Sequence, residues 1–282
     1  MTASPTGPDF AAPGFRACYR HPDRGTGIAC QRCGRPICGE CMNPASVGFQ
    51  CPRCVGLGRA GAREPRTRFG ARLGEGGGRA TKALMVVLAA VYVLNFATRG
   101  LVQSPLLMFN PAVASGELWR LVTSGLVSGS LLGLAMNLLV LYLAGRAIES
   151  EVGGARFVAI FFAAALGGST LFYLLGPSSA ATIGGASAVV GLLAANTIGK
   201  RRSGEDVRGD VALFVVLVLY SLLVGFSSFG WLTMIGGILV GALAGWVLAY
   251  APRTNRNAIQ VFGLLAVVGV CLVAVVVPTF VG

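Results

Sequence analysis

Residues 234–245 read MIGGILVGALAG, and Gly237, Gly241 and Gly245 recur every fourth position in a stretch that carries no charge between Trp231 and Tyr250. On an α-helix that spacing lines the three glycines along one face. A helix this apolar belongs in lipid, where helices associate by close packing and a stripe of small residues lets a second backbone approach. Gly184, Gly185 and Gly191, around Ser187, offer a matching surface upstream. The two helices are therefore expected to be neighbours, with Ser187 on the buried face between them. Glycine packing without chemistry is the commoner meaning of such stripes, so this one speaks to architecture and leaves function open.

Seven apolar stretches that could cross a bilayer lie at residues 83–98, 125–145, 157–175, 183–199, 211–226, 231–250 and 258–277. Several fall short of the ~20 residues a perpendicular helix needs, which implies local thinning or partial submersion. The 282 residues are 54% hydrophobic and 12% charged, with a mean hydropathy of +0.71. Soluble domains carry about 25% charged residues, and disordered chains are poor in apolar ones, so both classes are excluded. The expected fold class is an all-α polytopic membrane protein.

Basic residues orient it. Thirteen of the 23 Lys and Arg lie between Arg16 and Lys82, and with the amino terminus inside, twenty-one fall on the cytoplasmic side against Arg99 and Arg120 on the other. The positive-inside rule then predicts a multi-pass protein of the cell membrane, amino terminus cytoplasmic and carboxyl terminus outside. The net charge of +12 reads as retention and contact with anionic lipid heads. Nucleic acid is not expected as a partner, because no recognition helix or aromatic platform accompanies the charge.

Residues 1–17 have no apolar signal-peptide core and are rich in Pro, Gly and Ala, as a disordered tail would be. Residues 18–54 hold four pairs of metal-ligand type: Cys18-x2-His21, Cys30-x2-Cys33, Cys38-x2-Cys41 and Cys51-x2-Cys54. Eight ligands suffice for two closed tetrahedral zinc sites, since each short knuckle turns both donors toward one ion. So short a segment buries little core, and metal would supply most of its folding free energy. A disulfide framework is the alternative, disfavoured by a reducing cytosol and by His21 standing where an eighth ligand is required. Spacing alone permits sequential as well as interleaved pairing. Closed sites have no open coordination position, so the zinc would be structural and the module would dock a cytosolic partner. Residues 55–82, rich in Gly and Arg, read as a flexible basic linker. Residues 83–255 form the expected membrane domain, and 256–282 an additional C-terminal transmembrane helix in which Cys271 packs as a small apolar residue.

Four motifs follow one another through the membrane region: Gly116-Glu117-Leu118-Trp119-Arg120, Gly145-Arg146-Ala147-Ile148-Glu149, Gly184-Gly185-Ala186-Ser187 and Gly236-Gly237-Ile238-Leu239-Val240-Gly241. Trp119 and Arg120 suit head-group anchors in their own right. Together, over about residues 82–255, the motifs resemble the rhomboid intramembrane serine proteases. The resemblance implies a bundle of six helices plus a seventh, a Ser nucleophile on the fourth span, a His base on the sixth, and a His and an Asn on the second that help hold the oxyanion. Carried onto this chain, Ser187 takes the nucleophile position and Asn137 the oxyanion position. The base falls at Met234, the second-span His at Gly133 and a further loop His at Ser128, so all three histidine positions are empty. Ala188 stands where many relatives have Gly. The order of the Cys-rich pairs resembles B-box-type zinc fingers, which implies that Cys18, His21, Cys38 and Cys41 share one ion and Cys30, Cys33, Cys51 and Cys54 the other.

The chain contains one histidine, His21, and a Ser hydroxyl is a weak nucleophile until a neighbour removes its proton. The expected function is therefore that of a pseudoprotease, which binds transmembrane client segments without cutting them. Asn137, Ser187, Ser128 and Ser130 would place polar groups at membrane depth for such a client. Two alternatives stand beside it: an intramembrane serine endopeptidase using Ser187 with an atypical base, and a structural or transport protein. The lack of acidic residues within the expected spans argues against ion coupling.

Overall fold

A computed structural model describes residues 14–61, 67, 69, 77–225, 229–252 and 255–281. The chain divides into two compact units, residues 1–64 and 65–282.

In the first unit, β1 (Arg16–Ala17) pairs antiparallel with β2 (Gly25–Thr26), and β3 (Asn43–Pro44) with β4 (Phe49–Gln50). A 3-10 turn at Gly39–Cys41 and helix α1 (Pro52–Gly61) complete it. Its buried cluster consists of Ile37 and six cysteines, so the ligand-type side chains are themselves the core. Both edges differ from the expected ones. Arg16 and Ala17, assigned to the tail, form β1, while residues 1–13 lie outside the described residues. Val55–Gly61, assigned to the linker, continues α1. The cause is the knuckle: the Cys54 amide donates to Cys51 Sγ at 3.4 Å and the Val55 amide to the Cys51 carbonyl at 3.0 Å, and Pro52 pre-sets the first helical φ. Of the remaining linker, residues 62–66, 68 and 70–76 lie outside the described residues.

The second unit is helical. Helix α2 (Arg79–Ala97) is followed by β5 (Met108–Phe109), α3 (Asn110–Ala114) and α4 (Arg120–Thr123). Then α5 (Leu131–Val140), a π turn at Leu141–Gly145 and α6 (Arg146–Val152) form one continuous span. Next come α7 (Gly154–Leu175), β6 (Ala181–Thr182), which pairs with β5, and α8 (Gly185–Ser203). The last three helices are α9 (Arg208–Gly225), α10 (Gly230–Tyr250) and α11 (Arg256–Val281).

Among the described residues five segments are long and apolar enough to cross a membrane: α2, Leu131–Val152, α7, α10 and α11. Seven were expected, and all seven fall on helices; α8 closes on Lys200, Arg201 and Arg202. The expected stretch 125–145 is displaced to 131–152. Ser130 sets the start by accepting the Gly133 amide at 3.0 Å, a side-chain N-cap.

The core sits where α7, α8 and α10 meet, on glycine. A Cβ built on Gly237 would collide with the Ser187 carbonyl oxygen, one on Gly241 with the Gly191 carbonyl, and one on Gly245 would lie 2.6 Å from Ala195 Cα. Gly236 abuts the carbonyl of Gly167 in α7 in the same way. The neighbour relation expected of the two glycine-bearing helices is therefore present, as backbone against backbone.

Candidate functional site

Ser187 stands in the first turn of α8, where its Oγ donates to the Gly184 carbonyl at 2.6 Å. It is 1% exposed. Gly237 of α10 closes over its Cβ and carbonyl, and α7 approaches from a third direction: a Cβ on Gly168 would lie 2.7 Å from Ser187 Oγ and 2.6 Å from the Thr233 carbonyl. Three helices thus converge on this hydroxyl through positions that have no side chain. The preceding loop is tied down as the Gly184 amide donates to the Ser124 carbonyl at 3.1 Å and the Ser124 and Ser169 hydroxyls meet at 2.9 Å.

Asn137 of α5 is buried, and its Nδ2 lies 3.2 Å from where a Gly185 Cβ would be. The structure thus brings Asn137 and the Ser187 turn together across Gly185. Met234 is buried one turn before Gly237, on the same face of α10. Gly133 points elsewhere: a Cβ there would meet Ser130 Oγ at 3.2 Å and the Tyr220 hydroxyl of α9 at 3.5 Å. Ser128 Oγ is buried without a hydrogen-bond partner among the described residues. Ala188 is buried, and its Cβ lies 3.7 Å from a Cβ built on Gly125.

In the Cys-rich unit two groups form, Cys18 with His21, Cys38 and Cys41, and Cys30 with Cys33, Cys51 and Cys54; within each, the ligand atoms lie within 4.8 Å of one another. The pairing is interleaved. His21 Nδ1 is 3.3 Å from Cys38 Sγ and 3.4 Å from Cys41 Sγ, and Cys33 Sγ is 3.8 Å from Cys51 Sγ. All eight cysteines are free, and 3.8 Å is far beyond the ~2.05 Å of a disulfide. It equals the ~3.8 Å edge of a tetrahedron with metal–sulfur bonds of ~2.3 Å, so these residues fit a tetrahedral metal ion. Burial pushes the Cys18 thiol up, but the amides of Arg20, Cys38 and His21 outweigh it and carry it down to about 6. Burial at Cys30 is likewise outweighed, by the amides of Cys51, Arg32 and Cys33, and that thiol also falls to about 6. Burial and the neighbouring Cys18 and Cys38 push Cys41 up to about 11, and Cys51, ahead of burial, helps push Cys54 up to about 12. In each group a thiol held low thus lies beside one pushed up, a charge conflict that a dication relieves.

Comparison with known proteins finds a match for part of the helical unit. The family described as Rhomboid domain matches residues 115–251. The match covers just under half of the chain. Rhomboid protease GluP of Bacillus subtilis (strain 168) is 36% identical over 86 residues, which are 30% of this chain and 17% of that protein. RHOMBOID-like protein 5 of Arabidopsis thaliana is 29% identical over 146 residues, 50% of this chain and 47% of the relative. Rhomboid-like protease 3 of Toxoplasma gondii is 27% identical over 143 residues, 50% of this chain and 54% of the relative. The chain spans about half or less of the length of these relatives.

Three polar arrangements in the helical unit escaped the sequence reading. Glu149 is 2% exposed and accepts the Ala80 amide at 3.1 Å, the Thr81 amide at 2.8 Å and the Thr81 hydroxyl at 2.7 Å, which caps α2. Arg120 is buried, pairs with Glu117 at 2.5 Å and donates to the carbonyls of Ser104 at 2.6 Å and Leu107 at 3.1 Å. Trp119, exposed, donates to the Pro105 carbonyl at 3.3 Å. Asp210 accepts from Asn196 at 2.9 Å and Lys200 at 3.0 Å, which ties α9 to α8. Only the four-residue spacing of Asn196 and Lys200 hinted at this last group.

Proposed function

We propose that the rhomboid domain serves as a non-catalytic receptor for transmembrane segments of client proteins. It lies in the cell membrane, amino terminus cytoplasmic and carboxyl terminus outside. The Cys-rich unit holds two structural zinc ions and docks a cytosolic protein. One observation carries the reading: the chain has a single histidine, His21, and its Nδ1 lies 3.3 Å from Cys38 Sγ in the ligand cluster. Met234 and Gly133 occupy the positions where the rhomboid resemblance calls for imidazole. A thioether and a hydrogen atom accept no proton, and general-base assistance is worth roughly 10²–10⁴-fold. The Ser187 hydroxyl spends its proton on the Gly184 carbonyl, which supports a packing role for it. The relatives named as proteases share the domain; on this reading the chain retains their scaffold and lacks their base.

The zinc ions supply cross-links and no reaction. Cys18, His21, Cys38 and Cys41 hold one, and Cys30, Cys33, Cys51 and Cys54 the other. The backbone amides that already donate to their sulfurs, as Cys51 does to Cys30 Sγ at 3.2 Å, keep the thiolates in place.

The test is labelling of the purified full-length protein with a fluorophosphonate probe beside Ser187→Ala. Equal, background labelling of both is expected. Labelling of the native chain that Ser187→Ala abolishes would favour the alternative, an endopeptidase with an atypical base, and would overturn the receptor reading.

A further inference from the structure

Ser187, Gly191, Ala195 and Gly199 recur every fourth residue and share one face of α8. The first three rest on Gly237, Gly241 and Gly245 of α10. At the fourth level α10 is ending, at Tyr250, and the place is taken by an aromatic ring from before α2. A Cβ on Gly199 would collide with Phe69 Cζ and lie 3.2 Å from its Cε2. Phe69 is 2% exposed. Its carbonyl accepts from Gln260 Nε2 of α11 at 3.3 Å, and the same amide donates to the Leu248 carbonyl in the last turn of α10 at 3.0 Å. Two residues earlier, Thr67 Oγ1 donates to the Glu151 carbonyl at the end of α6 at 2.6 Å. A segment whose composition reads as a free tether is therefore held at two of its residues.

We propose that Phe69 is a positioning wedge: it sets the spacing of α8 and α10 at the Gly199 end of their seam, and through that seam the placement of Ser187 against Gly237 and the Thr233 carbonyl. The physical reason is the stiffness of the seam. Backbone packed on backbone has no side-chain rotamers with which to absorb a change, and close-packed interiors transmit strain. The twelve helical steps from Ser187 to Gly199 span about 18 Å of helical rise, so a small opening at the ring tilts the far end. The inference does not depend on whether Ser187 reacts.

Hydrogen exchange read by mass spectrometry on the full chain in nanodiscs tests it. Phe69→Ala should raise exchange severalfold in peptides covering residues 185–199 and 237–250 and leave α2 at its native rate. Phe69→Leu, which refills most of the volume, should restore much of the protection. Gly199→Ala, whose methyl displaces the ring without deleting it, should reproduce the Phe69→Ala pattern and keeps the test alive if that variant does not fold. Unchanged seam exchange, with loosening confined to the residues around position 69, would overturn the proposal. So would a uniform rise that includes α2, which marks general destabilisation.

Discussion

A methyl group added at Gly241 would run into the carbonyl of Gly191, and α8 and α10 would have to part to admit it. Gly241→Ala should therefore destabilise the membrane domain by about 1–3 kcal/mol, the usual cost of overpacking, seen as a lower midpoint in detergent or urea unfolding. Gly269 of α11 is the control, since a Cβ there meets nothing within 4 Å. Gly269→Ala should be neutral or stabilising, because Ala is the better helix former. Met234 allows a different test. It lies one turn from Gly237 on the face that meets Ser187, so Met234→His should bring an imidazole to the seam. Serine-dependent fluorophosphonate labelling should then rise above that of the native chain. Gly133→His is the poorer choice, since Gly133 faces Ser130 and Tyr220.

Two helices are placed by single side chains from distant elements. Glu149 satisfies three donors at the start of α2. Glu149→Ala leaves them buried and unpaired at about 1–3 kcal/mol, so α2 should fray first, visible as faster exchange at residues 80–84. Glu149→Gln keeps one carbonyl oxygen and should lose less. Asp210 pins α9 through Asn196 and Lys200, with the Lys200 and Asp210 side chains 25% and 11% exposed. Lys200→Met alone strands a largely buried carboxylate and should lower stability, whereas Lys200→Met with Asp210→Leu should recover most of the loss. A double-mutant cycle of unfolding midpoints measures the coupling.

At the level of the whole chain the two units differ in what holds them. Residues 14–61 bury Ile37 and a shell of cysteines, so on the proposed reading their stability rests on metal, while residues 65–282 rest on helix packing. A chelator should abolish protease resistance of the first unit and leave the helical signal of the second. Elemental analysis should return two zinc ions per chain before treatment; one or none contradicts the paired-site reading. Much of this was legible without coordinates. Membrane embedding, the two donor sets and the lack of an imidazole for Ser187 are matters of composition and spacing, and both are read along a single strand of text. The glycines at 237, 241 and 245 even named their partner helix, because a small-residue stripe is useful only against another backbone. Which donors group together, which spacing left open and only the B-box resemblance implied, why Glu149 is buried, where Asp210 finds its lysine and why Phe69 is held are features of the folded chain. Each joins residues brought together by packing, such as Phe69 with Gln260, and no local period records which distant backbone will arrive.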